Sequence, residues 1–394
     1  MSPCKTRREF IQELACGAAG LALLSFNRSA EAAPSADLRT RGRMEVGGLK
    51  VDKDHIFAVK EAMYYEKLRE SEVKCKLCPK ECKVGDKERG WCGVRENSKG
   101  TYYTLVHSNP CAVHIDPIEK KPFFHYLPAS LAFSISTAGC NFNCKYCQNW
   151  QISQRRPEQT NNVHLPPDEV VRKAKEFGCQ SIAYTYAEPV VFYEYMLDTS
   201  IAARKAGVKA VVVSAGYLHT EPLKKLCETV DAVKIDLKAY SDKFYREICS
   251  GTLQPVLDAL KTLKEAGVWY EIVDLVVPTL NDTEDEFRDL AKWVVDNLGV
   301  DVPLHFSRFY PMYQLKNLPP TPIEPLEQAR NIAMEAGLNY VYLGNVKPDH
   351  EGNNTYCPEC GDMVIQRKGF FVVQNNIVDG KCKKCGHEIQ GIWA

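Results

Sequence analysis

The chain has 394 residues, of which 45% are hydrophobic and 25% are charged, and its formal net charge is zero. This length allows two or three domains with one large core. Nothing in the neutral charge balance favours nucleic acid or an anionic membrane as a partner, and we expect no stable nucleic-acid binding. Cysteine is unusually frequent, with 17 residues, and its close groupings indicate metal ligation rather than a disulfide framework.

Residues 1–33 resemble a twin-arginine export signal. Arg7-Arg8 precede a short apolar run at 14–26, and Ala30-Glu31-Ala32 has the small-residue character of a cleavage site. The run is about half the length needed to span a bilayer, so we expect no integral membrane span after signal removal. Export to the periplasm or cell envelope follows from this interpretation. An amphipathic N-terminal helix, with a cytoplasmic protein, is the alternative. Residues 34–55 are a polar linker.

A Cys-rich segment spans residues 56–130. Its first part, 56–72, has apolar residues at helical spacing. Four cysteines within eighteen residues then follow and can close a tetrahedral site: Cys75, Cys78, Cys82 and Cys92. We expect a structural zinc slightly more than an auxiliary iron–sulfur cluster, with unliganded thiols as the other alternative. The prolines and aromatic residues of 116–128 predict an ordered irregular segment over the entrance of the next domain.

Residues 131–346 repeat a pattern in which a helical stretch ends in Gly and a β-rich run follows. Examples are Gly178 before 181–186 and Gly207 before 210–213. Strands that are apolar on both faces and alternate with helices predict a parallel sheet covered by helices. We therefore expect an α/β fold, a partial (open) TIM-like (β/α)6 barrel with its chemistry at the carboxyl ends of the strands. A doubly wound sheet is the alternative, disfavoured because no G-x-G-x-x-G follows the first strand.

Residues 347–394 carry two C-x2-C-G groups. They supply Cys357, Cys360, Cys382 and Cys385. Paired knuckles of this kind are typical of a zinc ribbon, in which metal binding contributes the folding energy that so small a module lacks. A redox-active dithiol pair is the alternative.

The central motif follows the first predicted strand of the barrel and contains Cys140, Cys144 and Cys147. Thiolates at such close spacing can converge on one metal centre, and iron–sulfur clusters favour thiolate ligands. Three ligands leave one iron of a four-iron cluster open. A zinc knuckle is the alternative, but it would normally have a fourth Cys or His nearby. The spacing C-x3-C-x2-C, with Tyr146 before the last cysteine, closely resembles that of radical S-adenosylmethionine enzymes.

This resemblance implies a [4Fe–4S] cluster, S-adenosylmethionine and a low-potential electron donor. The open iron would bind the amino and carboxylate groups of S-adenosylmethionine, and reduction would give a 5′-deoxyadenosyl radical that abstracts hydrogen from a substrate. Glu188 matches the family's Gly-Gly-Glu position for the methionine amine, although Tyr186-Ala187 replaces the two glycines. A helix-start carboxylate is the alternative for Glu188.

Further candidates lie at the ends of later strands. Ser214 could meet the ribose or the methionine carboxylate of S-adenosylmethionine, and alternation directs Lys234, Asp236 and Lys238 to one face of the fourth strand. We predict that Asp236 and Lys238 bind the cofactor and that Lys238 and His305 are catalytic. Arg308 could bind an anionic group. An Asp–Lys ion pair and a packed histidine are the alternatives.

Over residues 55–394 the combination of motifs resembles the radical enzyme of the AmmeMemoRadiSam system, a group similar to pyruvate formate-lyase activating enzymes. The resemblance implies an enzyme with an unidentified substrate, such as a glycine of a partner protein. The alternative is an iron–sulfur or zinc protein for electron transfer or assembly. Glu188, Asp236 and Lys238 favour the enzyme, because a carrier needs no ligand-binding groups. We expect both cysteine modules, 75–92 and 357–385, to flank the barrel mouth.

Overall fold

The structure is a computed structural model that describes residues 45–46, 49–50 and 58–394. The predicted export signal at 1–33 lies outside the described residues, and so does most of the predicted linker at 34–55. Export and the absence of nucleic-acid binding therefore stay predictions.

The N-terminal segment is built from short antiparallel strands. They are β1 (Glu45–Val46), β2 (Leu49–Lys50), β3 (Ala58–Glu61), β4 (Tyr65–Lys67), β5 (Val73–Cys75), β6 (Lys83–Val84), β7 (Arg95–Ser98) and β8 (Thr101–His107). β1 pairs with β2, and the others form two three-stranded sheets, in the orders β3-β8-β7 and β4-β5-β6. The prediction of a helix from the residue spacing at 56–72 is wrong for residues 58–72, which form β3, β4 and a 3₁₀ turn. Tyr64 has a φ of 56°, a left-handed conformation that turns the chain between β3 and β4 and interrupts any helix.

One eight-stranded sheet forms the centre of the fold. Its strands are β9 (Ala112–Pro117), β10 (Leu131–Ser136), β11 (Ser181–Tyr184), β12 (Lys209–Ser214), β13 (Ala232–Asp236), β14 (Trp269–Val276), β15 (Leu304–Arg308) and β16 (Val341–Gly344). β10 to β16 follow one another in chain order and pair in parallel, whereas β9 pairs antiparallel with β10. Among the described residues β9 and β16 do not pair, so the sheet is open. The expected open α/β arrangement is confirmed; the expected count of six units is wrong, because seven parallel strands and an antiparallel edge strand are present.

Helices connect the parallel strands. They are α1 (Trp150–Ser153), α2 (Pro167–Glu176), α3 (Tyr193–Lys205), α4 (Thr220–Cys227), α5 (Asp242–Phe244), α6 (Gln254–Ala266), α7 (Glu284–Asn297) and α8 (Ile323–Glu335). A π-helical turn, Tyr245–Cys249, continues α5. Gly267 caps α6 with a φ of 66°, a backbone conformation that glycine adopts without a side-chain clash. Within the described part of the chain, no helix combines the length and the apolar character needed to cross a membrane.

The segment from Ile118 to Tyr126 closes the amino ends of the parallel strands. Ile118, Phe123 and Tyr126 pack against alanine and valine side chains near the starts of β10 to β13. The expectation that this segment covers the carboxyl-end entrance is wrong. β9 runs antiparallel to β10, and its last residue, Pro117, pairs with Leu131, the first residue of β10. The chain that leaves β9 is therefore at the amino ends of the parallel strands.

The C-terminal module packs on this same segment. Its strands are β17 (Thr355–Tyr356), β18 (Met363–Lys368), β19 (Phe371–Asn375), β20 (Ile377–Val378) and β21 (Lys381–Cys382). Arg367 donates a 2.7 Å hydrogen bond to the carbonyl of Phe124, and Leu127 N donates to the carbonyl of Ile392 at 2.7 Å. The module therefore lies at the amino ends of the strands. The expectation that it flanks the mouth at the carboxyl ends is wrong.

Candidate functional site

The loop that carries Cys140, Cys144 and Cys147 leaves the carboxyl end of β10. Asn143 N donates to the carbonyl of Cys249 and Lys145 N donates to that of Ile248, each at 3.0 Å. The π-helical turn at 245–249 thus pairs with the backbone of the loop. Because these backbone groups are satisfied within the protein, the cysteine sulfurs are left as the donor atoms for a ligand.

Burial disfavours the thiolate forms of these cysteines. It raises the pKa of Cys140 and Cys147 above the ordinary thiol value. The pKa of Cys144 is raised first by its interaction with the Cys249 thiol and then by burial. Metal binding must therefore release protons from these thiols. Their donor set, three thiols on one loop, fits an iron–sulfur cluster with one iron left open.

Glu188 and Ser214 meet where β11 and β12 end. Ser214 Oγ donates to Glu188 Oε1 at 2.6 Å, and Ala215 N donates to Oε2 at 2.8 Å. Val190 N adds a third bond, to Oε1 at 3.2 Å, so Glu188 also caps a short 3₁₀ turn. Burial raises the pKa of Glu188, while its hydrogen bonds oppose that shift. A carboxylate has about four acceptor sites, which leaves Oε2 able to accept one more donor, such as an ammonium group.

Tyr186 stands where the sequence departs from the expected glycine pair. Its φ is 66°, in the left-handed region that favours glycine. Asn149 Nδ2 donates to its carbonyl at 2.7 Å, its hydroxyl donates to Asp116, and Lys121 Nζ lies 4.2 Å from the centre of its ring. These contacts stabilise Tyr186 in a backbone conformation that is usually adopted by glycine.

Lys234, Asp236 and Lys238 form a charged row along β13 and just beyond it. Lys234 donates to Asp236, and Lys238 Nζ lies 3.3 Å from Asp236 Oδ2. Burial acts to raise the pKa of Asp236, but Lys234 and Lys238 outweigh it and lower that pKa to about 2. The Asp236 side chain remains 32% exposed, so a ligand can reach it.

These groups surround the three-cysteine loop. Glu188 contributes to the raised pKa of Cys140, and Lys238 and Asp236 both act on the pKa of Cys144. The structure therefore brings seven predicted residues together at the carboxyl ends of the strands: Cys140, Cys144, Cys147, Glu188, Ser214, Asp236 and Lys238. Their individual roles stay predictions.

His305 lies apart from this group in a buried network. Its Nε2 is 2.8 Å from Glu271 Oε2, and Glu271 accepts from the backbone N–H groups of Phe124 and His125. Burial lowers the pKa of His305. These contacts link His305 to the segment that closes the amino ends, as a packed histidine would be, and its predicted catalytic role stays untested. Arg308 donates to the carbonyl of Thr321 at 2.5 Å.

Two features of the site escaped the sequence analysis. The buried Cys249 thiol lies 3.5 Å from the Tyr146 hydroxyl and acts on Cys144. Asp116 and Lys121 form a buried pair at 2.6 Å beside Tyr186. Burial lowers the pKa of Lys121 to about 8, with Asp116 opposing the shift. Cys249 belongs to no sequence motif, so nothing in the sequence indicated its position in the site. The ion pair could have been predicted, because two adjacent lysines, Lys120 and Lys121, follow Asp116.

The two remaining cysteine groups differ in geometry. The sulfurs of Cys357, Cys360, Cys382 and Cys385 all lie within 4.8 Å of one another. Among the described residues no other set of three or more metal-binding side chains gathers so closely, which excludes both the group at 75–92 and the three-cysteine loop. The four cysteines at 75–92 line a cavity, and the metal predicted for them stays a prediction.

The sequence around the three-cysteine loop is similar to that of known proteins. Residues 134–294, from β10 into α7, match the profile described as Radical SAM superfamily. The chain belongs to the radical SAM superfamily. An uncharacterized protein of Methanocaldococcus jannaschii is 47% identical over 333 residues, which cover 84% of this chain and 99% of that protein.

More distant radical SAM relatives have named activities. Pyruvate formate-lyase 1-activating enzyme of Escherichia coli (strain K12) is 23% identical over 220 residues, covering 52% of this chain and 89% of the enzyme. A radical SAM methyltransferase structure from Sphaerobacter thermophilus has a TM-score of 0.44 and 16% identity, and the match covers 55% of this chain and 67% of that one. The protein is a radical SAM enzyme related to activating enzymes, and its superfamily implies a [4Fe–4S] cluster and S-adenosylmethionine.

Proposed function

We propose that this radical SAM enzyme is an activase-like oxidoreductase that removes a hydrogen atom from a glycine of a partner protein. The observation that carries the proposal is the convergence of the three-cysteine loop with Glu188, Ser214, Asp236 and Lys238. The activating enzymes among its relatives support a protein substrate. The C-terminal module lies at the amino ends, so it leaves the carboxyl-end face clear for a large partner.

The chain's own residues bind and orient the cofactors. Cys140, Cys144 and Cys147 would hold the cluster, and Glu188 Oε2 would accept a hydrogen bond from the amino group of S-adenosylmethionine. Lys238, held by Asp236, would place a positive charge beside the cluster ligands. When bound and reduced, the cluster and S-adenosylmethionine supply a 5′-deoxyadenosyl radical. Buried side chains around the loop exclude water from the site.

Isotope transfer tests the choice of substrate. Anaerobically reconstituted enzyme would receive a reductant, S-adenosylmethionine and either the protein fraction or the small-molecule fraction of source cells grown on α-deuterated glycine. We expect deuterium in 5′-deoxyadenosine with the protein fraction only, and none with the variant Cys144→Ala. Deuterium arising from the small-molecule fraction alone would overturn the proposal of a protein substrate. The alternative, a carrier without substrate chemistry, predicts no 5′-deoxyadenosine at all.

We also propose that the C-terminal cysteines bind one zinc ion. Cys357 and Cys385 sulfurs are 3.6 Å apart, and those of Cys360 and Cys382 are 3.9 Å apart. Tetrahedral zinc with bonds of about 2.3 Å requires sulfurs about 3.8 Å apart. Backbone hydrogen bonding from Cys385 lowers the pKa of Cys382 to about 7, which favours the thiolate. Metal analysis of the purified protein tests this, and the absence of zinc would contradict it.

A further inference from the structure

The four cysteines of the N-terminal segment line one cavity. Cys75, Cys78, Cys82 and Cys92 border it together with Arg95 and Asn141. Burial raises the pKa of Cys92 to about 11 and, with help from Cys75, that of Cys78 to about 12. All four cysteines face this common interior space.

The spacing of these sulfurs excludes a single tetrahedral ion in the present geometry. The C-terminal four gather within 4.8 Å, as zinc requires, and the N-terminal four do not. The sulfurs of Cys140, Cys144 and Cys147, in the loop typical of cluster binding, also do not gather so closely. A cubane of four irons and four sulfides holds its cysteine ligands farther apart than one ion does. The N-terminal four, like the three cysteines of the loop, are therefore spread more widely than the C-terminal group.

Arg95 supplies an independent sign of a ligand in this cavity. It lines the cavity and is 1% exposed. Its Nη2 donates to Glu194 at 2.5 Å and its Nη1 donates to the carbonyl of Met63 at 3.3 Å, but its buried Nε has no partner among the described residues. A buried N–H group without an acceptor is costly. Sulfide or thiolate sulfur in the cavity would accept this hydrogen bond.

The cavity adjoins the three-cysteine loop directly. Gly139, which precedes Cys140, has a φ of 94°, and a Cβ placed there would lie 2.7 Å from the carbonyl oxygen of Cys92. Asn141, which follows Cys140, lines the cavity. Two metal centres in these positions would therefore be neighbours.

The outer face of the cavity reaches solvent at Trp91. This residue lines the cavity, lies between Cys82 and Cys92 in sequence, and is 55% exposed. Lys80 Nζ lies 4.2 Å from the centre of its ring. An exposed aromatic residue and a cation at the mouth of a cysteine-lined cavity provide a face at which an electron-donor protein could dock.

We propose that Cys75, Cys78, Cys82 and Cys92 bind a second [4Fe–4S] cluster, which relays electrons to the cluster at Cys140, Cys144 and Cys147. A low-potential iron–sulfur or flavin protein gives one electron to the second cluster. That cluster passes the electron on and returns to its oxidised state, and no bond forms or breaks in the transfer. The relay rests on the proposed function; the presence of the second cluster does not.

Metal analysis of full-length variants tests the second cluster. In Cys140→Ala/Cys144→Ala/Cys147→Ala, reconstituted without oxygen, we expect about four irons and about four sulfides per chain to remain. Reduction should give the paramagnetic resonance signal of a reduced [4Fe–4S] cluster. A variant without iron that binds a second zinc would overturn the assignment. The iron content and the resonance signal do not depend on S-adenosylmethionine. They can therefore establish the second cluster even if the proposed function is wrong.

A complementary variant tests the relay. In Cys82→Ser/Cys92→Ser, iron should fall from about eight to about four per chain, while C-terminal zinc stays in place and reports an intact fold. We expect the rate of 5′-deoxyadenosine formation with reduced flavodoxin, divided by the rate with titanium(III) citrate, to fall at least tenfold relative to the unmodified protein. An unchanged ratio would overturn the relay. If this variant does not fold, the three-alanine variant still decides whether the second cluster exists.

Discussion

Ser214 Oγ lies 2.6 Å from Glu188 Oε1, and this hydrogen bond joins the chain segments that leave the carboxyl ends of two neighbouring strands. The bond fixes the orientation of a buried carboxylate beside the three-cysteine loop. Because Ala215 N holds the other oxygen, the carboxylate cannot rotate without losing a partner. Such preorganisation suits a group that must receive a cofactor ammonium.

Glu188→Gln should weaken the binding of S-adenosylmethionine about ten- to hundredfold, because it removes a charge-assisted hydrogen bond worth about 1.5–3 kcal/mol. Anaerobic equilibrium dialysis measures the dissociation constant. The matched control is Glu176→Gln, since Glu176 is an exposed carboxylate on α2. Equal affinity in the Glu188 variant and the control would show that Glu188 does not bind the cofactor.

Gly139→Ala should loosen the contact between the three-cysteine loop and the N-terminal segment. A Cβ there would lie 2.6 Å from Val94 Cγ1 and 2.7 Å from the carbonyl oxygen of Cys92, at a φ of 94°. We expect a loss of about 1–3 kcal/mol in stability and lower iron content. Gly178→Ala is the control, because Gly178 also has a positive φ but no atom within 4 Å of an added Cβ. Equal losses in the two variants would mean that backbone strain alone, not the contact, explains the effect.

Cys249→Ala should lower the reduction potential of the cluster at the three-cysteine loop. The Cys249 thiol interacts with Cys144, and hydrogen bonds to ligand sulfurs stabilise the reduced, more negative cluster. Loss of one such bond, worth about 1 kcal/mol, corresponds to roughly 40 mV for a one-electron couple. Redox titration measures the shift. Cys249→Ser keeps a hydrogen-bond donor at this position, so its reduction potential should lie close to that of the unmodified protein. Identical potentials in the alanine variant and the unmodified protein would exclude a hydrogen bond from Cys249 to Cys144.

His125 should make the protein less stable in mild acid. Burial lowers its pKa to about 4, whereas an unfolded histidine has a pKa of about 6.5. Stability is therefore fully present above about pH 6.5 and falls towards pH 4, because only the unfolded chain takes up the proton. The contribution is about 1.4 kcal/mol per pH unit.

Urea unfolding between about pH 6.5 and about pH 5.5 measures this slope while the thiolate sites stay loaded. His125→Gln should show a shallower pH dependence than the unmodified protein, because the substitution removes the group that takes up the proton on unfolding. Parallel pH profiles for the two proteins would contradict the assignment to His125.

Much of the site was visible in the sequence because it depends on local signals. Cys140, Cys144 and Cys147 lie on one loop, and Glu188, Ser214 and Asp236 each lie at or just beyond the end of an apolar strand. Parallel strands bring such ends to one edge of a sheet. Tyr186 was also recognised as a departure from the expected glycines, although the structure was needed to show what holds its backbone.

The remaining errors concern relationships between distant segments. β9 ends in Asp116-Pro117, a polar residue and a proline that do not indicate a strand, and its antiparallel direction moves the next segment to the amino ends. The position of the C-terminal module depends on contacts such as Arg367 with Phe124. The spacing of cysteines along the chain does not determine the distances between their sulfurs, so the difference between the two four-cysteine groups emerged only in three dimensions.

The most direct test of the central claim is whether the cluster at the three-cysteine loop cleaves S-adenosylmethionine. Anaerobically reconstituted protein would be incubated with titanium(III) citrate and S-adenosylmethionine, and 5′-deoxyadenosine would be measured by mass spectrometry. We expect 5′-deoxyadenosine from the unmodified protein and none from Cys140→Ala/Cys144→Ala/Cys147→Ala. Equal production by that variant, or no production by unmodified protein with a full cluster, would contradict it.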